Sequence, residues 1–110
     1  GRGQEALLAT TVRVRGCGEA ADELATYLAA GGVGKLLLDT SFPTERRRFL
    51  ESMNADVSVG SVGQADVEID CNDSNDRFWG AQRALQVMLR LVGVVESSEW
   101  REDVGAWWVV

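Results

Sequence analysis

The chain has 110 residues, a net charge of −6, and hydrophobic and charged contents of 45% and 25%, the size and balance of one globular domain over residues 1–110 with one modest core. No apolar run approaches the ~18 residues of a membrane span, and the acidic balance repels nucleic acid and anionic membrane, so neither is expected as a partner. The absence of histidine excludes histidine acid–base catalysis and Cys/His zinc sites, and two cysteines cannot close a four-ligand zinc site.

In chain order, "QEALLAT" reads as a short leading helix and "TVRVRG" as an alternating strand. Residues 19–30 are predicted helical, with Ala21, Leu24, Ala25 and Leu28 on one apolar stripe and Gly31 and Gly32 ending the helix in a left-handed cap. "KLLLD" is a second strand, apolar on both faces as in the interior of a parallel sheet. A helix opens near Pro43 and Thr44, is expected to bury Phe49, Leu50 and Met53, and ends near Asn54. "DVSV" is a third short strand, followed by the flexible "GSVGQA" and a fourth strand, "DVEIDC". A long helix over residues 75–91 is expected to carry Phe78, Ala81, Leu85, Met88 and Leu89 on one face. "VGVVES" and "GAWWVV" read as two closing strands. The alternation predicts a single small α/β domain with a mostly parallel sheet flanked by helices through right-handed crossovers.

In such a sheet, ligands sit beyond the carboxyl ends of the strands, near the switch in strand order. Three of these ends carry polar signals: Gly16 and Gly18 after the first strand, Asp39 after the second, and the run from Asp70 to Asp73 after the fourth. Asp39 lies 21 residues beyond Gly18, where an acid that holds ribose hydroxyls is expected, so Gly16, Gly18 and Asp39 are candidate nucleotide contacts. Asp73 with Asp76 offers carboxylates to magnesium, and equally one of them caps the long helix. Arg46, Arg47 and Arg48 are either cations for an anionic ligand or a solvated face. Cys17 and Cys71 read as small packing residues near loops in a reducing compartment, cytoplasmic or otherwise. With neither a secretory apolar segment nor an initiator Met, the chain is expected to be processed or trimmed.

Two patterns point outward. Adjacent Trp107 and Trp108 on a strand face opposite ways, so one is a candidate contact surface. Arg13 and Arg15 share one face of the first strand, and Glu68 and Asp70 one face of the fourth. Unpaired burial there would cost several kcal/mol each, so these charges must pair across the strands or meet solvent. That face is expected to be thinly covered and finished by a partner.

The chain resembles the ThiF/MoeB/HesA family, bacterial relatives of ubiquitin-activating enzymes. The family's opening "GQ-x-x-L" is matched by Gly3, Gln4 and Leu7, and its strand, glycine loop and "YLA-x-x-GVG" by "VRGCG" and "YLAAGGVGKLLLD". Its "LNP" is echoed by "SMNADVSV", its "D-C-T-D-N" by residues 70–74, and its later "G-x-x-x-V" by Gly105 and the strand after it. The resemblance implies a Rossmann-like three-layer domain, with strand order 3-2-1-4, that binds Mg-ATP and adenylates the C-terminal glycine of a ubiquitin-fold sulfur carrier. By position, Gly16 and Gly18 would face the phosphates, Asp39 the ribose, and Asp73 the magnesium and acyl phosphate.

The departures point away from catalysis. Two further glycines of the family's loop are Glu19 and Ala21 here, and its "N-L-x-R-Q" segment and following Lys are cut to "TSFPTERRR". The family's CxxC pairs and catalytic-cysteine loop are absent. A carboxylate in the first helical turn favours the empty helix dipole by ~0.3–1 kcal/mol, yet it repels a triphosphate. The expected function is a degenerate family member, a non-catalytic partner or scaffold that works as a homo- or hetero-oligomer with weak or no ATP binding. The alternatives are a minimal active adenylyltransferase and, behind it, a dinucleotide-binding module using Gly16, Gly18 and Asp39.

Overall fold

The computed structural model describes residues 2–93 and 106–108. The elements are α1 (Arg2–Leu8), β1 (Thr11–Arg15), α2 (Glu19–Gly31), β2 (Lys35–Leu38), α3 (Thr44–Met53), β3 (Ser58–Gly60), β4 (Val67–Asp70), α4 (Arg77–Leu91) and β5 (Ala106–Trp108). They form an α/β, Rossmann-like domain around one sheet in the order β3-β2-β1-β4-β5. β1 pairs in parallel with β2 and β4, and β2 with β3, while β5 runs antiparallel to β4. The expected order of the first four strands is therefore the one observed. Its switch point lies between β1 and β4.

One face of the sheet carries the core. Val12, Val14, Leu36, Leu38, Val67 and Ile69 join the α2 stripe of Ala21, Leu24, Ala25 and Leu28 in one buried cluster, with Leu50 from α3 and Ala84 and Val87 from α4. Each of the valine, leucine and isoleucine side chains contributes ~1.5–3 kcal/mol by leaving water. α2 ends as its glycines require: Gly32 takes φ 97, and its N–H and that of Val33 reach back to Ala29 and Leu28.

Two expectations about the helices need correction. On α3 only Leu50 is buried, while Phe49 and Met53 are 44% and 36% exposed. Phe49 instead takes the Arg46 guanidinium over its ring at 4.4 Å. On α4 the inward face is Gly80, Ala84 and Val87, with the expected Met88 and Leu89 packed half-buried against the core, while Phe78 and Leu85 are 80% and 55% exposed. Both stripes have helical spacing, but side-chain size decides between them. At Gly80 the two helices approach so closely that a Cβ would run into the backbone of Ala20, which excludes a helix face built from Phe and Leu. The "VG" of "VGVVES" is also not strand. Val92 and Gly93 bond back to Met88 and Arg90 as the exit of α4, and residues 94–98 lie outside those described.

The opposite face is polar. Arg15 pairs with Glu68, and Arg13 donates to the carbonyls of Ser61 (3.3 Å) and Gly63 (2.6 Å). The cross-strand charges are thus satisfied within the chain. The 61–63 segment lies against Leu37, whose methyls would be 3.7 and 3.9 Å from a Cβ on Gly63. A glycine-rich loop, tied by an arginine, shields the one apolar residue on that side of β2.

The core assignment has a direct test by thermal or denaturant unfolding. Leu50→Ala is expected to cost ~2–5 kcal/mol, the usual cost of a buried leucine. Phe78→Ala should stay within about 0.5 kcal/mol of the wild type, as at other exposed sites. The reverse ranking would return Phe78 to the core.

Candidate functional site

The candidate site lies at the carboxyl ends of β1, β2 and β4. β1 runs into Gly16, whose φ of 110 turns the chain sharply, and a Cβ there would sit 3.3 Å from the carbonyl carbon of Cys71. Asp39, after β2, reaches across and accepts the Gly16 N–H at 2.7 Å through Oδ2. The carboxylate expected to hold a ribose is thus engaged with the glycine loop itself.

Gly18 is the N-cap of α2 and has no side chain with which to cap it. Asn75, from the loop before α4, supplies the missing acceptor: its Oδ1 takes the Glu19 N–H at 2.8 Å. A Cβ on Gly18 would lie 2.5 Å from that oxygen. Glu19 and Asp22, the two acids of the first turn, each meet a guanidinium: Arg77 at 3.3 Å and Arg46 at 2.8 Å. Arg46 also donates to Thr26 Oγ1 at 3.1 Å. Helix dipole and carboxylates are favourably arranged here, and the first amide of α2 is occupied from within the chain.

Two adjoining clefts share Cys17, Gly18 and Asn75. One, of about 360 Å³, is walled by Phe42, Pro43, Glu19, Asp22 and Arg46. The other, of about 290 Å³, lies over the switch point between Gly16 and the Cys71–Ser74 run. A larger cavity of about 490 Å³ opens at the far end of α2, beside Gly31 and Gly32. It lies away from the strand ends where the polar signals converge.

Asp73 is exposed on the second cleft. Asp76 is the cap of α4, accepting the Phe78 N–H at 2.9 Å, and Asp70 is engaged by Asn72 through its N–H and side-chain amide at 2.9 and 2.8 Å. Among the described residues, no group of three metal-ligating His, Cys, Asp or Glu side chains occurs.

The arginine run divides by role. Arg47 grips the carbonyls of Leu38, Asp39, Phe42 and Gly60, so it ties together the ends of β2 and β3. Arg46 is held by Asp22, and Arg48 is exposed. The chain's one lysine, Lys35, opens β2 at the opposite end of the strand from Asp39. The side chains of Trp107 and Trp108 lie outside the described residues; the backbone register sets them opposite Glu68 and Val67.

The cysteines differ from one another. Cys71 is buried, as expected of a packing residue, whereas Cys17 is exposed on both clefts, which corrects the expectation that it packs. Burial, assisted by the Asp70 charge, pushes the Cys71 thiol up from 9.0 to about 12.

Sequence reasoning missed Asn75, Arg13 and Arg47 as fasteners. Asn75 acts on a residue 56 positions earlier, so no local pattern marks it. Arg47 was visible only as one of three consecutive arginines.

No protein-family model and no curated protein matches the chain. Among solved structures it is similar to E. coli MccB, with a TM-score of 0.53 and 19% identity over 63% of this chain. A structure of E. coli MccB with succinimide aligns at TM-score 0.47 and 21% identity, over 58% of this chain and 26% of that one. The chain spans 29% of the length of MccB in the first of these. The likeness is one of fold alone.

The raised Cys71 thiol has a measurable consequence. Above the ordinary thiol value of 9.0 the unfolded chain releases a proton that the folded chain retains up to about 12. Its stabilising contribution is therefore complete below pH 9 and is lost as pH rises through that window. The melting temperature of the wild type should fall more steeply than that of Cys71→Ala between about pH 8 and about pH 11. Parallel slopes would show that Cys71 ionises as freely as in water.

Proposed function

We propose that this chain is a degenerate ThiF/MoeB/HesA-like domain, acting as a non-catalytic partner or scaffold and binding Mg-ATP weakly or not at all. The observation that carries this reading is the occupied start of α2, where Asn75 Oδ1 already accepts the Glu19 N–H that a phosphate would use. A triphosphate there would also meet the Glu19 carboxylate. The nearby guanidiniums are committed: Arg77 to Glu19, Arg46 to Asp22, and Arg47 to backbone carbonyls. The residues present therefore do not fit a magnesium-bound polyphosphate, whose transfer chemistry depends on cations arranged around the developing charge.

The partner role is supported by α4. Phe78 and Leu85 lie two turns apart on one exposed helix face, an apolar pair that a protein partner, a second copy or a ubiquitin-fold carrier would cover. Arg13 and Arg15, engaged within the chain, are weaker candidates for that contact.

A second reading, a minimal adenylyltransferase completed by cations from another subunit, is favoured by one observation. Asp73, where the resemblance expects magnesium and acyl phosphate, stands exposed on the switch-point cleft. A dinucleotide-binding module is less favoured, because Asp39 already serves the Gly16 amide.

Calorimetry separates these readings. For the isolated chain, Mg-ATP affinity is expected to be no tighter than roughly 0.1 mM, and low-micromolar affinity would overturn the proposal. Glu19→Gly should strengthen binding roughly tenfold if repulsion is the obstacle, as expected for ~1.4 kcal/mol from one like-charge contact. For the partner role, light scattering should show an assembly larger than one chain, either alone or with whatever co-purifies. Changing Phe78 and Leu85 together to serine should dissociate it.

A further inference from the structure

The two thiols have no part in the reading above, although the fold sets them on one cleft. Cys71 immediately follows β4, and its N–H bonds to the carbonyl of Arg15 at 2.8 Å, which places it opposite the end of β1. Gly16 packs directly on its backbone. Cys17 is the next residue, and both cysteines line the 290 Å³ cleft over the switch point. Cys71 therefore faces Gly16 across neighbouring strands ~4.8 Å apart, and Cys17 stands one residue beyond that pair. Cys17 is flanked by Gly16 and Gly18, and Gly16 sits in the positive-φ region open to glycine. The segment can therefore adjust its backbone toward the ~4.4–6.8 Å Cα separation that a bridge requires. One thiol is exposed and the other buried, the asymmetry of an attacking and a resolving cysteine.

We propose that Cys17 and Cys71 form a thiol–disulfide exchange site for low-molecular-weight disulfides, with Cys17 as the entry thiol and Cys71 as the resolving thiol. Cys17 Sγ gives its proton to solvent and attacks one sulfur of the small disulfide. That S–S bond breaks, a mixed disulfide forms on Cys17, and the first small thiolate leaves and takes up a proton. Cys71 Sγ then attacks Cys17 Sγ as its proton passes to the departing second small thiolate, which leaves as a thiol. Two protein thiols are oxidised to one disulfide, and the small disulfide is reduced to two thiols. The bridge would join the glycine loop to the loop before α4, across the mouth of the cleft.

Oxidised glutathione is the probe, applied to the full chain under native conditions and followed by intact mass and thiol alkylation. The wild type is expected to lose both free thiols, to become two hydrogens lighter, to retain no glutathione and to recover fully with a reductant. Cys71→Ala should stop at a stable glutathione adduct on Cys17, and Cys17→Ser should leave Cys71 unmodified. The wild-type measurement needs no variant to fold. A wild-type chain that keeps glutathione on Cys17, links to a second chain, or retains both thiols would overturn the proposal.

Discussion

Everything at the candidate site depends on how closely α4 can lie on α2. At Gly80 the backbone of α4 passes over the carbonyl of Ala20 with no room for a side chain, and α2 presents Ala20, Ala21, Leu24 and Ala25, all fully buried. Small residues here act through geometry more than through buried area. They bring the start of α4 against the start of α2, and so carry Asn75 to the Glu19 amide and Arg77 to the Glu19 carboxylate. Were the helices held apart by one methyl layer, the α2 amide would face solvent and Glu19 would stand alone. The inward-built cap thus follows from helix packing within the first turn of each helix.

The same economy shapes the sheet. The apolar face is closed by helices in the ordinary way, while the other is managed by charge. Arg15 answers Glu68 across the strands, and Arg13 holds the crossover between β3 and β4. At the carboxyl ends Arg47 ties β2 to β3 through their carbonyls. Backbone carbonyls that end a strand need partners when half-buried, and a guanidinium, with five donors in a fixed fork, serves several at once. Three arginines of a protein with net charge −6 are thereby committed to architecture.

Much of this was legible in the sequence, and the gaps have physical causes. The α2 stripe, the burial of Leu36, Leu37 and Leu38 on both faces of β2 and the glycine stop at Gly32 follow from periodicity and local conformation, and the structure bears them out. Strand order followed from the family resemblance. The faces of α3 and α4 were misread because an apolar count cannot tell a helix face chosen for oiliness from one chosen for smallness. Phe78 and Leu85 outweigh Gly80 and Ala84 on any hydrophobic scale, yet only the small pair fits against α2. Gly16, Gly18, Asp39 and Asp73, singled out by spacing and resemblance, lie together at the carboxyl ends of the strands. Asn75 was invisible, because its partner is remote in sequence and an asparagine before a helix is ordinarily read as belonging to its own turn.

The attachment of the β3–β4 crossover separates a loop's path from its composition. Arg13 fastens the segment through the main-chain oxygens of Ser61 and Gly63, and the side chain of Val62 points into solvent. Every residue has a carbonyl, so the fastening asks nothing of the side chain at position 62 and little of that at 61. The loop's tip can therefore drift freely in sequence, or accept a grafted recognition residue, while its course over the sheet remains that dictated by one arginine on β1.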